Sequence, residues 1–289
     1  MTGWKTALGG CCLLALASAS SARAGSPGAD LATYYASLET SLLARGALKP
    51  DRPSGQLDAE RLARDFVQVA LMDEYGGGFT SGTGTRKPKH LLRWEEPVRI
   101  KVSFGASVPE DQRRADLRNI DRYAGQLARA TGHRVSVSRE RPNLHVLVVS
   151  EAERRSLASQ LPKLVPGISP WMVRTVSRMR PNHLCMVVAE PHADRRRGYR
   201  EAVVILRAEQ SDLLRAACIE EELAQAMGLP NDCDVAKPSI FNDDQEYAFL
   251  TRRDEVLLRM LYSPSLASGM TAEQALPEIT RLSRRFARP

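Results

Sequence analysis

The run Leu144–Val149, with the sequence LHVLVV, is the feature that most restricts the fold of this chain. Five of its six side chains are apolar. A strand with one solvated face alternates apolar and polar residues, whereas a strand that is covered on both faces is apolar almost throughout. The run therefore predicts a central strand in a sheet that has helices packed on both sides.

Other strand and helix patterns surround this run. Strands are predicted at 98–104, where apolar and polar residues alternate, and at 135–137, 184–189 and 202–206. Helical spacing and capping residues predict helices at 29–46, 58–73, 109–131, 151–160, 169–179, 211–229, 251–262 and 271–287. Strands that alternate with helices over 95–210 predict an α/β or α+β fold with a mixed sheet and packed helices.

The composition of the chain changes near its first third. Residues 76–92 begin with GGGFTSGTGT, which predicts a flexible linker. We expect this linker to separate an N-terminal helical segment at 25–75 from an α/β domain at 93–289. No internal repeat is evident.

Residues 1–24 have the composition of a secretory signal. A short basic segment precedes an apolar core at 7–17, and Ala22-Arg23-Ala24 forms a small-x-small cleavage site. We expect a mature chain that begins at Gly25 and is periplasmic or secreted; the alternative is a lipoprotein anchored at Cys11. No later run of about 18 apolar residues follows, so we predict no transmembrane segment in the mature chain.

Three cysteines remain after the signal, Cys185, Cys218 and Cys233. In an oxidising compartment, an odd number predicts one disulfide and one free thiol. Three pairings are possible. We favour Cys185 with Cys218, which joins a strand to a helix, over Cys218 with Cys233, which crosses the turn after that helix.

The segment Cys218–Leu229 has the spacing of a zinc-peptidase helix, HExxHxxGxxH. The positions of the three zinc-binding histidines hold Glu221, Gln225 and Asn231, whereas the general-base position keeps its glutamate, Glu222. An amide is a poor zinc ligand beside imidazole, and a carboxylate suits harder cations. We therefore predict no zinc cofactor, with Glu222 as the catalytic candidate and the other three as candidate binding residues.

A simpler interpretation is an ordinary surface helix. Helical geometry places Glu221, Glu222 and Gln225 on one side, opposite an apolar stripe, as in any amphipathic helix. The five histidines do not supply the missing ligands by their sequence positions, and each is expected to be structural or on the surface; they are His90, His133, His145, His183 and His192.

Several short segments follow one another in a particular order. They are DEY (73–75), the strand region that starts at Arg93-Trp94, EELAQAMGLPND (221–232), SIFND (239–243), LTRRD (250–254), LYSP (261–264) and GM (269–270). This order resembles an exported bacterial family called domain of unknown function 2927, over most of the mature chain. That family is itself similar to metzincin-like zinc peptidases.

The resemblance implies a metzincin or zincin-like fold with a degenerate metal site. It maps the zinc positions onto Glu221, Gln225 and Asn231, and the general base onto Glu222. Because none of the zinc positions is a histidine, the resemblance supports the fold more than the activity, and fold does not fix function. Met270 follows a helix and is not assigned the role of a Met-turn.

Three functional hypotheses follow, and whether the protein is an enzyme stays open. The first is an exported pseudoenzyme that binds an envelope protein or peptide, with the strand at 184–189 as the dock for an extended segment. The alternative is an active hydrolase in which Glu222 is the general base, with an atypical metal or none. The third is a structural module whose turn at Arg195–Arg197 binds anionic cell-wall or lipid groups. The formal net charge of +7 is modest, and we predict no nucleic-acid partner.

Overall fold

A computed structural model describes residues 27–53, 55–72, 89–180, 183–233, 236–242 and 245–288. The predicted signal and most of the predicted linker lie outside these ranges. The helices are α1 (Pro27–Ala44), α2 (Ala59–Phe66), α3 (Glu110–Thr131), α4 (Glu151–Arg155), α5 (Leu157–Leu164), α6 (Pro170–Ser177), α7 (Asp212–Ala226), α8 (Arg252–Leu261) and α9 (Ala272–Phe286). The strands are β1 (Val98–Phe104), β2 (Val135–Val137), β3 (Leu144–Val149), β4 (Cys185–Pro191) and β5 (Tyr199–Arg207).

The five strands form one mixed sheet in the order β2-β1-β3-β5-β4, which confirms the predicted fold class. The first four strands of this order pair in parallel, and β4 pairs antiparallel with β5 at the edge. Strand β3 lies at the centre, and all six of its residues are buried. Among the described residues, β4 pairs with a strand on one side only, which matters for the site described below.

Helices cover both faces of the sheet because alternate residues of β3 point to opposite sides. Val146 and Val148 belong to the larger hydrophobic cluster, which includes residues of α3, α7 and α8. Leu147 and Val149 belong to a second cluster with residues of α5 and α6. The apolar run in the sequence thus has the two-sided burial that it predicts.

Several predicted elements differ in their bounds from the structure, among them β4, predicted at 184–189 and observed at Cys185–Pro191. The helix predicted at 151–160 is interrupted at Ser156, which ends α4 and precedes α5. The helix predicted at 58–73 is α-helical only to Phe66 and continues as a π-helix over Val67–Leu71. Strand β5 begins at Tyr199, earlier than predicted, because its first residues are paired with β4 although two of them are polar.

The N-terminal helices pack on the C-terminal half of the chain. Leu62 and Phe66 of α2 are buried in the same hydrophobic cluster as the sheet and α9. Tyr35 and Leu42 of α1 pack with Leu214 of α7. Within the described part of the chain, no helix combines the length and the apolarity that a membrane span requires.

The C-terminal end of α7 is fixed by two side chains from other segments. The indole Nε1 of Trp94 donates a hydrogen bond of 2.8 Å to the carbonyl oxygen of Ala226. The hydroxyl of Tyr262 donates to the carbonyl oxygen of Met227 at 2.9 Å and accepts from the backbone N–H of Trp94 at 3.2 Å. Helix ends leave carbonyl groups without intrahelical partners, and these bonds satisfy two carbonyl groups at the end of α7.

Gly228 is required for this close packing, so its replacement should destabilise the protein. Its φ is +121°, and a Cβ would lie 2.3 Å from the carbonyl oxygen of Leu92. We expect Gly228→Ala to lower the free energy of unfolding by more than about 3 kcal/mol in urea titrations followed by circular dichroism. Gly46→Ala is the matched control, because φ is +74° there but nothing lies within 4 Å, and it should cost only about 1 kcal/mol. Equal effects of the two changes would contradict this account.

Candidate binding cleft

A cleft of about 710 Å³ is lined by the edge strand β4 on one side and by the second half of α7 on the other. Glu221, Glu222 and Gln225 all line it, so the three polar residues singled out from the sequence share one side of the helix. Their roles stay predictions. The structure does not support the surface-helix interpretation, because Glu222 and Gln225 are only 5% and 9% exposed.

The carboxyl group of Glu222 lies at the floor of the cleft. Its Oε2 is buried and has no hydrogen-bond partner within the described residues. Burial raises the pKa of Glu222 well above its usual range, and the negative charge of Asp232 raises it further. A buried carboxyl oxygen without a donor is costly, and such groups are concentrated at functional sites.

Asp232 is a site residue that the sequence analysis did not single out. It lines the cleft, and the Nε2 of Gln225 donates a hydrogen bond of 3.1 Å to its Oδ1. It follows the third zinc position of the motif directly. Asp232 is the last residue of EELAQAMGLPND, one of the segments that carry the family resemblance. Only the turn after α7 places it beside Glu222.

Asn231 is held by a different part of the structure. Its Nδ2 donates to the carbonyl oxygens of Val69 and Met72, at 3.0 and 2.6 Å, and its Oδ1 accepts from the Nζ of Lys89 at 3.4 Å. The side chain is 3% exposed and does not line the cleft. The structure thus separates Asn231 from Glu221 and Gln225 and uses it to attach the turn after α7 to the N-terminal helical segment.

The residues at the three zinc positions do not fit a zinc ion. Zinc requires several nitrogen, sulfur or carboxylate donors that converge on one point. Here the amide of Gln225 is bonded to Asp232, and the side chain of Asn231 is bonded to backbone carbonyls and Lys89. In the part of the chain that the structure describes, no group of three or more His, Cys, Asp or Glu side chains is arranged to hold a metal ion.

A disulfide joins the two sides of the cleft. Cys185, the first residue of β4, is bonded to Cys218 of α7, with a Cα–Cα distance of 5.9 Å. This pairing confirms the one favoured from the sequence, and Cys233 is buried and takes no part in a disulfide. Because Cys218 precedes Glu222 by about one helical turn, the bond fixes the start of β4 next to the candidate residues.

The rim of the cleft carries an exposed aromatic side chain. Trp171 lies in the first turn of α6, lines the cleft and is 51% exposed. Ser169 caps this helix by accepting a hydrogen bond from the backbone N–H of Met172. Exposed tryptophan at a cleft is typical of binding sites, because its large area gains much by burial.

The arginine-rich turn contributes only one residue to the cleft. Arg195 lines it, whereas the guanidinium groups of Arg196 and Arg197 form ion pairs with Asp194 and Glu96, at 3.0 and 3.3 Å. Two of the three positive charges are therefore partly neutralised within the protein. This makes the turn a weaker candidate for binding anionic groups.

Comparison with known proteins gives one match. A family model described as protein of unknown function (DUF2927) matches residues 59–281. The chain belongs to the DUF2927 family. The matched range extends from α2 into α9, so it includes the parts of α6, β4 and α7 that line the cleft of this DUF2927 protein. Neither a curated protein nor a solved structure is significantly similar to it. The resemblance to DUF2927 is thereby confirmed, and the further similarity to metzincin-like peptidases stays a prediction.

Removing the Cys185–Cys218 disulfide should destabilise the protein. Its two cysteines are 33 residues apart, and closing a loop of this size in the unfolded chain corresponds to about 3 to 4 kcal/mol. We expect the double change Cys185→Ala and Cys218→Ala to lower the free energy of unfolding by about this amount in urea titrations. With Cys233→Ala as the background for both proteins, no free thiol can exchange with the disulfide. An unchanged midpoint would contradict a stabilising role.

Glu222 should make the folded state less stable as the pH rises. The folded state keeps its proton at pH values where the unfolded chain, with a pKa near 4.5, releases it. Stability then falls with pH above 4.5 by up to about 1.4 kcal/mol per unit, until the folded pKa is reached. Glu222→Gln has no carboxyl group to titrate and therefore avoids this loss of stability. Its free energy of unfolding, relative to that of the wild type, should increase between pH 4.5 and 8.

The measurement is a series of urea titrations over that pH range. Glu273→Gln removes one exposed carboxyl group elsewhere and serves as the control, with a curve that should parallel that of the wild type. A difference between Glu222→Gln and the wild type that is the same at every pH would show that Glu222 is not protonated in the folded protein.

Proposed function

We propose that this DUF2927 protein is exported to the cell envelope and binds an extended peptide segment there, as a metallopeptidase-like protein without zinc-dependent proteolysis. The observation that carries the proposal is the position of β4. It is the last strand of the sheet, it pairs with β5 on one side, and it lines the cleft. A sheet edge beside a cleft is the arrangement that β-augmentation requires.

The side chains of β4 suit this role. Cys185, Val187 and Ala189 are partly exposed and line the cleft. Met186 also contributes to the lining, although Met186 and Val188 are buried in the second cluster. An added strand gains affinity from backbone hydrogen bonds along the edge and specificity from alternate side chains. The small side chains at 187 and 189 leave room for those of a ligand.

The absence of zinc chemistry in the proposal rests on the donors themselves. Asn231 is committed to backbone carbonyls, and Gln225 is bonded to Asp232. Without a metal, a peptide carbonyl in the cleft has no Lewis acid to polarise it, and no metal-bound water is available as a nucleophile. Binding without cleavage is the function that these side chains support best.

A hydrolase is the second candidate, and one observation favours it. Glu222 combines burial, a raised pKa and a neighbouring carboxyl group in a cleft, which is the environment of many catalytic acids and bases. In this hypothesis Glu222 is the general base for attack by water on a peptide bond.

Incubation of the purified protein with casein and with a mixed peptide library separates the two candidates. The proposal expects no new N-termini by mass spectrometry but retention of a subset of peptides on the immobilised protein. Cleavage that is lost in Glu222→Gln and kept in Glu273→Gln would overturn it in favour of the hydrolase.

Trp171 should contribute to peptide binding and little to stability. Truncating an exposed aromatic side chain at an interface commonly costs a tenfold loss of affinity or more. We expect Trp171→Ala to weaken binding of a retained peptide by at least about tenfold in fluorescence anisotropy, with the free energy of unfolding changed by less than about 0.5 kcal/mol. Leu276→Ala is the matched control, since Leu276 is 50% exposed and lies on α9. Equal affinities of the two variants would place the peptide elsewhere.

A further inference from the structure

The floor of the cleft is acidic. Glu221 and Glu222 come from α7, and Asp232 follows the turn after that helix. Three carboxyl side chains therefore line the cleft, while the basic residues that line it, Lys89, His90, His183 and Arg195, come from other segments.

Within the described residues, one carboxyl oxygen of the acidic floor lacks a hydrogen-bond donor. Oε2 of Glu222 is buried without a hydrogen-bond partner within the described residues, although Glu222 lines the cleft. The nearby amide of Gln225 is directed to Asp232 instead, at 3.1 Å. Buried polar atoms are almost always hydrogen-bonded, so this one marks a place where a ligand donor is missing.

A zinc ion does not fill this place, because the side chains at the three zinc positions do not converge on one point. Nor does a side chain of the described residues fill it. A donor that also carries positive charge satisfies both features of the floor at once. A cation beside Glu222 lowers the pKa of its carboxyl group, so the proton is released to solvent on binding and a charge-assisted hydrogen bond to the carboxylate forms.

We propose that the cleft selects peptides with a lysine or arginine side chain, which reaches the floor formed by Glu222 and Asp232. This inference rests on the proposed function, because the basic side chain belongs to the extended peptide that pairs with β4. It adds to that function the chemical class of the ligand.

The shape of a basic side chain suits the cleft. The methylene stem of lysine or arginine packs against apolar surface while its charged end stays polar. Val187, Ala189 and Leu184 supply apolar surface along the β4 side, and the carboxyl groups lie on the α7 side. An extended ligand on β4 can therefore direct one side chain across the cleft towards α7.

The test is a set of peptides based on one sequence that binds the purified full chain. All are acetylated and amidated at their termini, and one position is lysine, arginine, norleucine or citrulline. Fluorescence anisotropy should give at least about tenfold tighter binding for lysine over norleucine and for arginine over citrulline. Norleucine keeps the methylene stem of lysine but removes its ammonium group, and citrulline keeps the shape and most N–H donors of arginine but removes its charge.

Variants of the protein locate this preference. Glu222→Gln and Asp232→Asn should each reduce the preference for lysine over norleucine to about twofold or less, whereas the exposed control Glu273→Gln should keep the full preference. The peptide comparison with the wild type requires no variant, so the test stands even if one substitution prevents folding.

The outcomes distinguish the inference from the proposed function. If peptides bind but lysine and norleucine peptides bind equally, the inference is wrong and peptide binding stands. If only peptides with a free α-amino group bind, the floor holds a chain terminus and the side-chain proposal is wrong. If no peptide in the library binds at all, both are overturned.

Discussion

The arrangement of the cleft depends on the fixation of the last turn of α7. Trp94 and Tyr262 bind the carbonyl groups of Ala226 and Met227, and Gly228 allows the backbone near Leu92 to approach. These contacts come from segments before the sheet and after α8. A shift of this helix end would move the following turn, and with it the position of Asp232 beside Glu222.

Glu220 and Glu222 of α7 are both buried, but their carboxyl groups have different surroundings. Glu220 is 1% exposed and is fully provided with donors, from Arg52 at 3.0 Å, Arg122 at 3.3 Å and the backbone N–H of Leu250 at 2.8 Å. Glu222 is nearly as buried and has the carboxyl group of Asp232 as its charged neighbour. Since buried charge is tolerated only with partners, Glu220 is compatible with a stable fold in its charged form, whereas the burial of Glu222 favours its neutral form.

Much of the framework could be predicted from local patterns. The apolar run Leu144–Val149 predicts a central strand because two-sided burial leaves no position for a polar face. The capping residue Thr271 and the helical spacing after it predict α9. The sequence favours the Cys185–Cys218 bond because it joins a strand to a helix, whereas a Cys218–Cys233 bond would cross the turn after that helix.

The sequence by itself determined the order of strands and helices, the family, and the absence of histidine from the spaced positions Glu221, Gln225 and Asn231, because each of these is encoded in residues close together in the chain. Only the tertiary structure decided which polar residues face the cleft. Asn231 is bonded to carbonyls of a helix about 160 residues earlier, and Asp232, its neighbour, lies beside Glu222 instead. Such long-range contacts depend on how the N-terminal segment, the sheet edge and the turn after α7 pack together, and no local periodicity records that packing.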